Sequence, residues 1–133
     1  LFLLLLKIEN YHPNPKDLIN LRNPIFYKMI IAFHDTHLGI RGTSVAMYDY
    51  AHFNETILKN TSIIIIPKPT GKDQNDPDGV KRFQSRFPVF WYSSLDQLES
   101  LLKIKNCDVL YCIKYGKNDG VLSKKIKTVK LFK

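Results

Sequence analysis

The stretch that decides the fold is MIIAFHD, residues 29–35, together with the loop THLGIRG, residues 36–42, that follows it. A short apolar run of this kind is typical of a strand that is covered on both faces. Thr43 or Ser44 can cap a helix that continues to about residue 58. The order of strand, glycine loop and helix predicts the first half of a βαβ unit.

The predicted first helix carries one apolar stripe that is expected to face the sheet. The stripe follows the spacing of a single helical face. Its members are Ala46, Tyr50, Phe53 and Ile57.

Further strand and helix signals alternate along the rest of the chain. Strands are predicted at residues 62–67, 87–94 and 107–115, which are apolar or β-branched runs of strand length. A short helix is predicted at 79–86, and KIKTVKLFK, residues 125–133, either begins a fifth strand or frays.

The helix before the fourth strand has a clear start signal. Ser94 and Gln97 have the spacing of a capping box. The apolar positions of this predicted helix are Leu95, Leu98, Leu101 and Leu102.

This alternation predicts an α/β fold for residues 28–133, a Rossmann-like three-layer α/β/α sandwich with a mostly parallel sheet of four to five strands. In such sheets ligands bind outside the carboxyl ends of the strands, so the loops after strands one and four are the candidate site. Residues 1–27 are predicted to be a loosely structured N-terminal extension, because prolines recur there and the apolar run at residues 1–6 is too short to span a bilayer. No transmembrane segment is expected.

Size and charge narrow the function classes. The chain has 133 residues, 44% of them hydrophobic, which suits one small domain. Its formal net charge is +8, and residues 114–133, with seven lysines against Asp119, supply +6 of it. Lysine outnumbers arginine 16 to 4, and no arginine lies in that segment to make bidentate contacts with phosphate or guanine. Nucleic acid is therefore not an expected partner.

The two cysteines are predicted to be small core residues rather than disulfide or metal ligands. Cys107 and Cys112 lie in the predicted fourth strand, where a separation of five places them on opposite faces. Free buried cysteines favour a cytoplasmic or otherwise intracellular location.

The loop of residues 34–44 is the strongest candidate for chemistry. Gly39 and Gly42 allow close backbone approach, Arg41 can clamp a phosphate, and the helix that begins near Thr43 offers free N–H groups to an anion. These residues and Ser44 form the predicted phosphate- or ligand-binding loop.

Two polar groups at the end of the first strand have alternative roles. His34 or Asp35 is a candidate general base, or both hold the turn by hydrogen bonds to the loop backbone. His34 and His37 could share a metal, but no third ligand is recognisable, so we expect neither a metal nor a cofactor. The spacings of a dinucleotide fingerprint, a Walker loop and a nucleophile elbow are all missing from the sequence.

The stretch KMIIAFHDTHLGIRGTSVAMYDYAHFNETILKNTSIIII, residues 28–66, together with CDVLYCIKYG, residues 107–116, resembles the N-terminal domain of glycosyltransferases with two Rossmann-like domains, the GT-B architecture. The resemblance implies transfer of a sugar from a nucleotide-sugar donor to an acceptor. It also implies that the loop after the first strand lies in the cleft between domains. Gly39, Arg41, Gly42 and Thr43 would then lie near the donor diphosphate, and His34 or Asp35 would face the cleft.

The resemblance covers only the acceptor-side half of such an enzyme. We expect a truncated glycosyltransferase, since the donor-binding domain does not fit in this length. Three interpretations follow. The first is an incomplete glycosyltransferase with little activity alone. The second is a subunit that pairs with a separate chain carrying the donor domain, and the third is a non-catalytic Rossmann-like binding or interaction module.

Overall fold

The computed structural model describes residues 28–116 and 119–132, which form five strands and three helices. The predicted extension, residues 1–27, lies outside the described residues. In chain order the elements are β1 (Ile30–His34), α1 (Thr43–Thr56), β2 (Thr61–Pro67), α2 (Pro77–Gln84), β3 (Val89–Tyr92), α3 (Leu95–Ile104), β4 (Val109–Lys114) and β5 (Lys127–Phe132).

The strands form one sheet in the order β3-β2-β1-β4-β5, and each neighbouring pair is parallel. This order confirms the predicted Rossmann-like fold and includes the fifth strand. The chain builds outward from β1 to β3, then crosses back to place β4 on the other side of β1. The carboxyl ends of β1 and β4 are therefore the topological switch point of the sheet.

Alternation along β1 divides the core into two layers. Ile31 and Phe33 belong to the cluster that contains Met47 of α1 and Phe83 of α2. Ala32 belongs to the opposite cluster, which α3 covers. Helices lie on both faces of the sheet, so a packed core holds β1 in place from both sides.

The buried face of α1 differs from the predicted stripe. Phe53 is 39% exposed and Ile57, just beyond the helix, is 54% exposed. The residues that α1 buries are instead Thr43, Ser44, Met47, Ala51 and Asn54. Three of these are polar, so a pattern built from apolar residues alone selected the wrong face.

Hydrogen bonds explain why α1 can bury polar side chains. Asn54 Nδ2 donates to Ser62 Oγ at 2.8 Å, and Ser62 Oγ donates to the backbone oxygen of Ala51 at 2.7 Å. Each buried group is thus paired, which removes most of the cost of its desolvation. The bonds tie the end of α1 to the start of β2.

The capped start of α3 is confirmed. Ser94 Oγ accepts the N–H of Gln97 at 3.2 Å, while the Gln97 side chain accepts the N–H of Ser93 at 2.5 Å. Leu98 and Leu102 are buried against the sheet. None of the helices in the described ranges is long and apolar enough to cross a membrane.

The cysteine prediction is correct about burial and wrong about the faces. Cys107 and Cys112 are free and buried, but both belong to the cluster under α3. Cys107 lies before β4 begins at Val109, so strand alternation does not apply to it. Burial raises the pKa of both thiols to about 12, which makes them unreactive packing residues at neutral pH.

The loop between β1 and α1 is held by the segment that leads into α2. The N–H of Leu38 donates to Asn75 Oδ1 at 2.8 Å, and the N–H of Asp76 donates to the oxygen of Leu38 at 2.8 Å. One turn further on, Gly79 lies directly against the backbone of Gly39. A Cβ atom at Gly79 would be 2.6 Å from the Gly39 oxygen.

We predict that Gly79→Ala destabilises the chain, because the added methyl group meets backbone that cannot move without breaking the hydrogen bonds of Leu38. Overpacking of this kind costs about 1–3 kcal/mol, measured by urea unfolding. Gly71→Ala is the matched control, since a Cβ at Gly71 meets nothing within 4 Å. Equal stability of the two variants would contradict the close contact.

Candidate functional site

The candidate site lies where β1 and β4 end side by side. His34 is paired in register with Cys112, so the residues that follow both strands emerge at the same edge. Asp35 follows β1 there, Lys114 is the last residue of β4, and Tyr115 follows it. The two loops that the sequence indicated are therefore brought together.

A buried carboxylate is the centre of this edge. Asp35 is fully buried, and its Oδ1 accepts the N–H of Thr36 at 2.6 Å and the hydroxyl of Tyr115 at 2.8 Å. Its Oδ2 has no hydrogen-bond partner among the described residues. Asp35 is thus a positioned carboxylate with one oxygen left to accept a proton or a hydrogen bond.

Tyr115 links this carboxylate to the start of α1. Its hydroxyl oxygen lies 2.7 Å from Thr43 Oγ1, and Tyr115 is 42% exposed. Burial raises the pKa of Tyr115. The hydrogen bond from Thr43 lowers this pKa, whereas the hydrogen bond to Asp35 raises it further. The hydroxyl consequently stays protonated at neutral pH and donates to Asp35.

His34 lies on the α3 side of the sheet, the face that alternation assigns to it. Its Nε2 is 2.7 Å from the hydroxyl of Tyr92, and the residue is 1% exposed. Burial, assisted by the charge of Lys114, lowers the pKa of His34 to about 4. The imidazole is therefore neutral at physiological pH, and its Nδ1 has no partner among the described residues.

A buried ion pair fixes the segment after β4. Lys114 is 3% exposed; its Nζ donates to the carboxylate of Asp119 and, at 2.7 Å, to the oxygen of Val121. Burial alone would raise the pKa of Asp119, but hydrogen bonds from Lys114 and from the N–H of Val121 lower it. The pair holds this segment close to His34, whose pKa both charges affect.

The predicted ligand-binding loop divides into inward and outward residues. Ser44 is buried, and its Oγ accepts the N–H of Gly39 at 2.8 Å, so its role in the structure is to close the loop. Gly42 is the N-cap of α1, has a φ of 58° and supplies no side-chain cap. Arg41 is exposed beside it. The start of α1 thus presents backbone N–H groups that no capping side chain covers.

The resemblance implies that His34 or Asp35 faces a cleft between domains, and this expectation stays a prediction. Both side chains are buried, at 1% and 0% exposure, so neither is in contact with bulk solvent. His37 is half-buried, with its Nδ1 3.0 Å from Thr36 Oγ1. Across the described residues, no group of three or more His, Cys, Asp or Glu is placed to hold a metal ion.

Sequence reasoning missed three residues of the site. Lys114 and Tyr115 lie at the end of β4, a place that the topology indicated without naming side chains. Tyr92 comes from the end of β3 and reaches His34 across β2. A rule that inspects polar residues at every strand's carboxyl end would have found all three.

Comparisons with protein-family models, with curated proteins and with solved structures find no match for this chain. The resemblance to glycosyltransferases therefore stays a prediction from the sequence, and the geometry of the site has to carry the functional argument.

We predict that acid destabilises the folded chain through His34. In the unfolded chain its pKa is close to the ordinary 6.5, whereas in the fold it is about 4. As pH falls from 7 to 4, the unfolded state gains this proton almost completely and the folded state only about half, so the free energy of unfolding decreases by about 3 kcal/mol.

The variant His34→Gln provides the comparison for this pH dependence. Its free energy of unfolding should fall less over the same range, because the carboxylates contribute to both chains but the imidazole to one. Urea unfolding at several pH values measures the two slopes. Identical slopes would show that His34 does not cause the loss.

We also predict that Asp35 and Tyr115 are energetically coupled. Tyr115→Phe removes a hydrogen-bond donor from a buried carboxylate, and Asp35→Ala removes the acceptor of this hydrogen bond. A double-mutant cycle on unfolding free energies should give a coupling of about 0.5–3 kcal/mol. Additive effects of the two substitutions would mean that the hydrogen bond contributes nothing.

Proposed function

We propose that this chain is the acceptor-side Rossmann-like half of a glycosyltransferase, which transfers a sugar from a nucleotide-sugar donor to an acceptor. The observation that carries the proposal is the arrangement at the switch point: a buried carboxylate, Asp35, beside the uncapped start of α1. Together they supply a proton acceptor and an anion-binding end at one edge of the sheet.

Asp35 is the better candidate for the general base. Its hydrogen-bond partner, Tyr115, is 42% exposed, whereas Tyr92, the partner of His34, is 5% exposed, so an incoming hydroxyl has a route to Asp35. An acceptor hydroxyl can take the place of the Tyr115 hydroxyl on Asp35, since Tyr115 is partly exposed and is bound there only by hydrogen bonds. In this role Asp35 would remove the proton of the attacking hydroxyl.

The glycine loop fits the diphosphate side of the same reaction. Gly42 leaves the first N–H groups of α1 without a side-chain cap, and the exposed Arg41 precedes it. A diphosphate that approaches this edge would find backbone donors, the positive end of a helix dipole and a guanidinium. Most donor contacts would come from a second domain, on the same chain or on a partner chain.

A non-catalytic binding module is the second candidate. It is favoured by the fact that the described residues alone assemble the switch point and a neighbouring cavity of about 410 Å³. A module of this kind would bind a small molecule without any donor domain.

Chemical-shift mapping on the ¹⁵N-labelled chain tests these functions. We predict that UDP- or GDP-sugars at millimolar concentration shift amide signals of residues 39–44, and that Arg41→Ala weakens this effect several-fold by removing a phosphate contact. Lys103→Ala is the control, because it removes the same charge from an exposed position near the end of α3, at the opposite edge of the sheet.

The outcomes separate the candidates. Shifts confined to the glycine loop and sensitive to Arg41→Ala support the glycosyltransferase proposal. Shifts elsewhere, or equal losses in both variants, contradict the phosphate role of this loop. For catalysis, native protein captured from its source by an antibody against residues 29–133 should release UDP or GDP from one of a panel of nucleotide sugars, and no release from any would count against the enzyme.

A further inference from the structure

The cavity beside the Asp35 site has the chemistry of an anion-binding pocket. It measures about 410 Å³, within the usual range for small-molecule sites. It is formed by the residues just after β1 and by the loop after β2, so it opens at the same carboxyl edge as Asp35. The residues that the argument uses are Thr36, His37, Lys68, Thr70, Lys72 and Asn75.

The charged residues that line the cavity are all basic. Lys68 and Lys72 both line the cavity, together with His37, and no carboxylate is among its lining residues. The nearby acid, Asp73, has its Oδ1 occupied by the N–H and side-chain amide of Asn75, each at 2.8 Å. No carboxylate lines the cavity to balance Lys68 and Lys72, so a ligand anion can supply the opposing charge.

The walls are held in place before any ligand arrives. The N–H of Lys68 donates to the oxygen of Tyr92 at 2.8 Å, which fixes one end of the loop to β3. Asn75 Oδ1 accepts the N–H of Leu38 at 2.8 Å and fixes the other end to the β1–α1 loop. Pro67 and Pro69 flank Lys68 and restrict the backbone at that end of the loop. A preorganised wall loses less entropy on binding.

The cavity lies next to the candidate base, which does not itself line it. Thr36 lines it and donates its N–H to Asp35, and His37 lines it and contacts the Thr36 hydroxyl. We propose that this pocket binds the phosphate group of a phosphorylated small molecule through Lys68 and Lys72. This inference rests on the proposed function. In the glycosyltransferase, the phosphorylated molecule is the acceptor, and its phosphate holds it beside Asp35.

Titration calorimetry on the chain tests the pocket with three probes: inorganic phosphate, glucose 6-phosphate and glucose. We expect both phosphates to bind, with an affinity that falls as salt concentration rises, and glucose to show no heat. The double variant Lys68→Gln/Lys72→Gln should weaken phosphate binding at least tenfold.

The matched control is Lys103→Gln/Lys124→Gln, which removes the same two charges from exposed positions near the amino-terminal edge of the sheet. Equal weakening in both double variants, no binding of either phosphate, or equal binding of glucose would overturn the pocket. Thermal unfolding of each variant checks that it remains folded.

The result is independent of the donor experiment. Phosphate binding that depends on Lys68 and Lys72, without any response to nucleotide sugars, would keep the pocket and count against the glycosyltransferase. A response of residues 39–44 to nucleotide sugars, without phosphate binding here, would keep the enzyme and exclude a phosphorylated acceptor at this place.

Discussion

The architecture of the site depends on one backbone contact, that between Gly39 and Gly79. The segment that starts α2 lies so close to the β1–α1 loop that a single added carbon would overlap the Gly39 oxygen. Two hydrogen bonds of Leu38, whose side chain is fully buried, fix the same contact. The loop after β1 is therefore held in place by residues about 40 positions downstream.

Two polar groups at the carboxyl edge of the sheet, beside this loop, have different surroundings. His34 and Asp35 are neighbours in sequence, yet alternation along β1 directs the imidazole toward Tyr92, on the α3 side, while the carboxylate meets Tyr115 and the start of α1. Burial keeps the first neutral. Hydrogen bonds hold the second, with one oxygen unpartnered. The two neighbouring groups therefore have different partners, a difference that the sequence alone could not decide.

Strand and helix order was predictable because each element has a strong local signal. The β-branched run of β2, the capping box of α3 and the apolar run of β1 all mark elements that the structure contains. The buried face of α1 was not predictable in the same way, because Asn54 is buried through a hydrogen bond to Ser62 on another element. The prediction placed Cys107 on the wrong face because β4 begins at Val109, two residues later than predicted.

The site itself was predictable as a place but not as a set of contacts. Parallel topology indicates that the ends of β1 and β4 meet, so Asp35 and the glycine loop could be chosen from the sequence. The partner of Asp35 is Tyr115, 80 positions away, and no local pattern reveals such a pair.

Assembly from distant segments also has a thermodynamic consequence. The carboxylate comes from the end of β1, its hydroxyl partner from the end of β4, and the lysines of the cavity from the loop after β2. These groups are adjacent only in the folded sheet, so a ligand that contacts them binds the native state and not the unfolded chain. Any such ligand must therefore raise the free energy of unfolding. At concentrations above the dissociation constant, the increase grows with the logarithm of the ratio of ligand concentration to dissociation constant. Since the Gly39–Gly79 contact holds the β1–α1 loop against the segment that bounds the cavity, loosening that contact should weaken ligand binding and stability together.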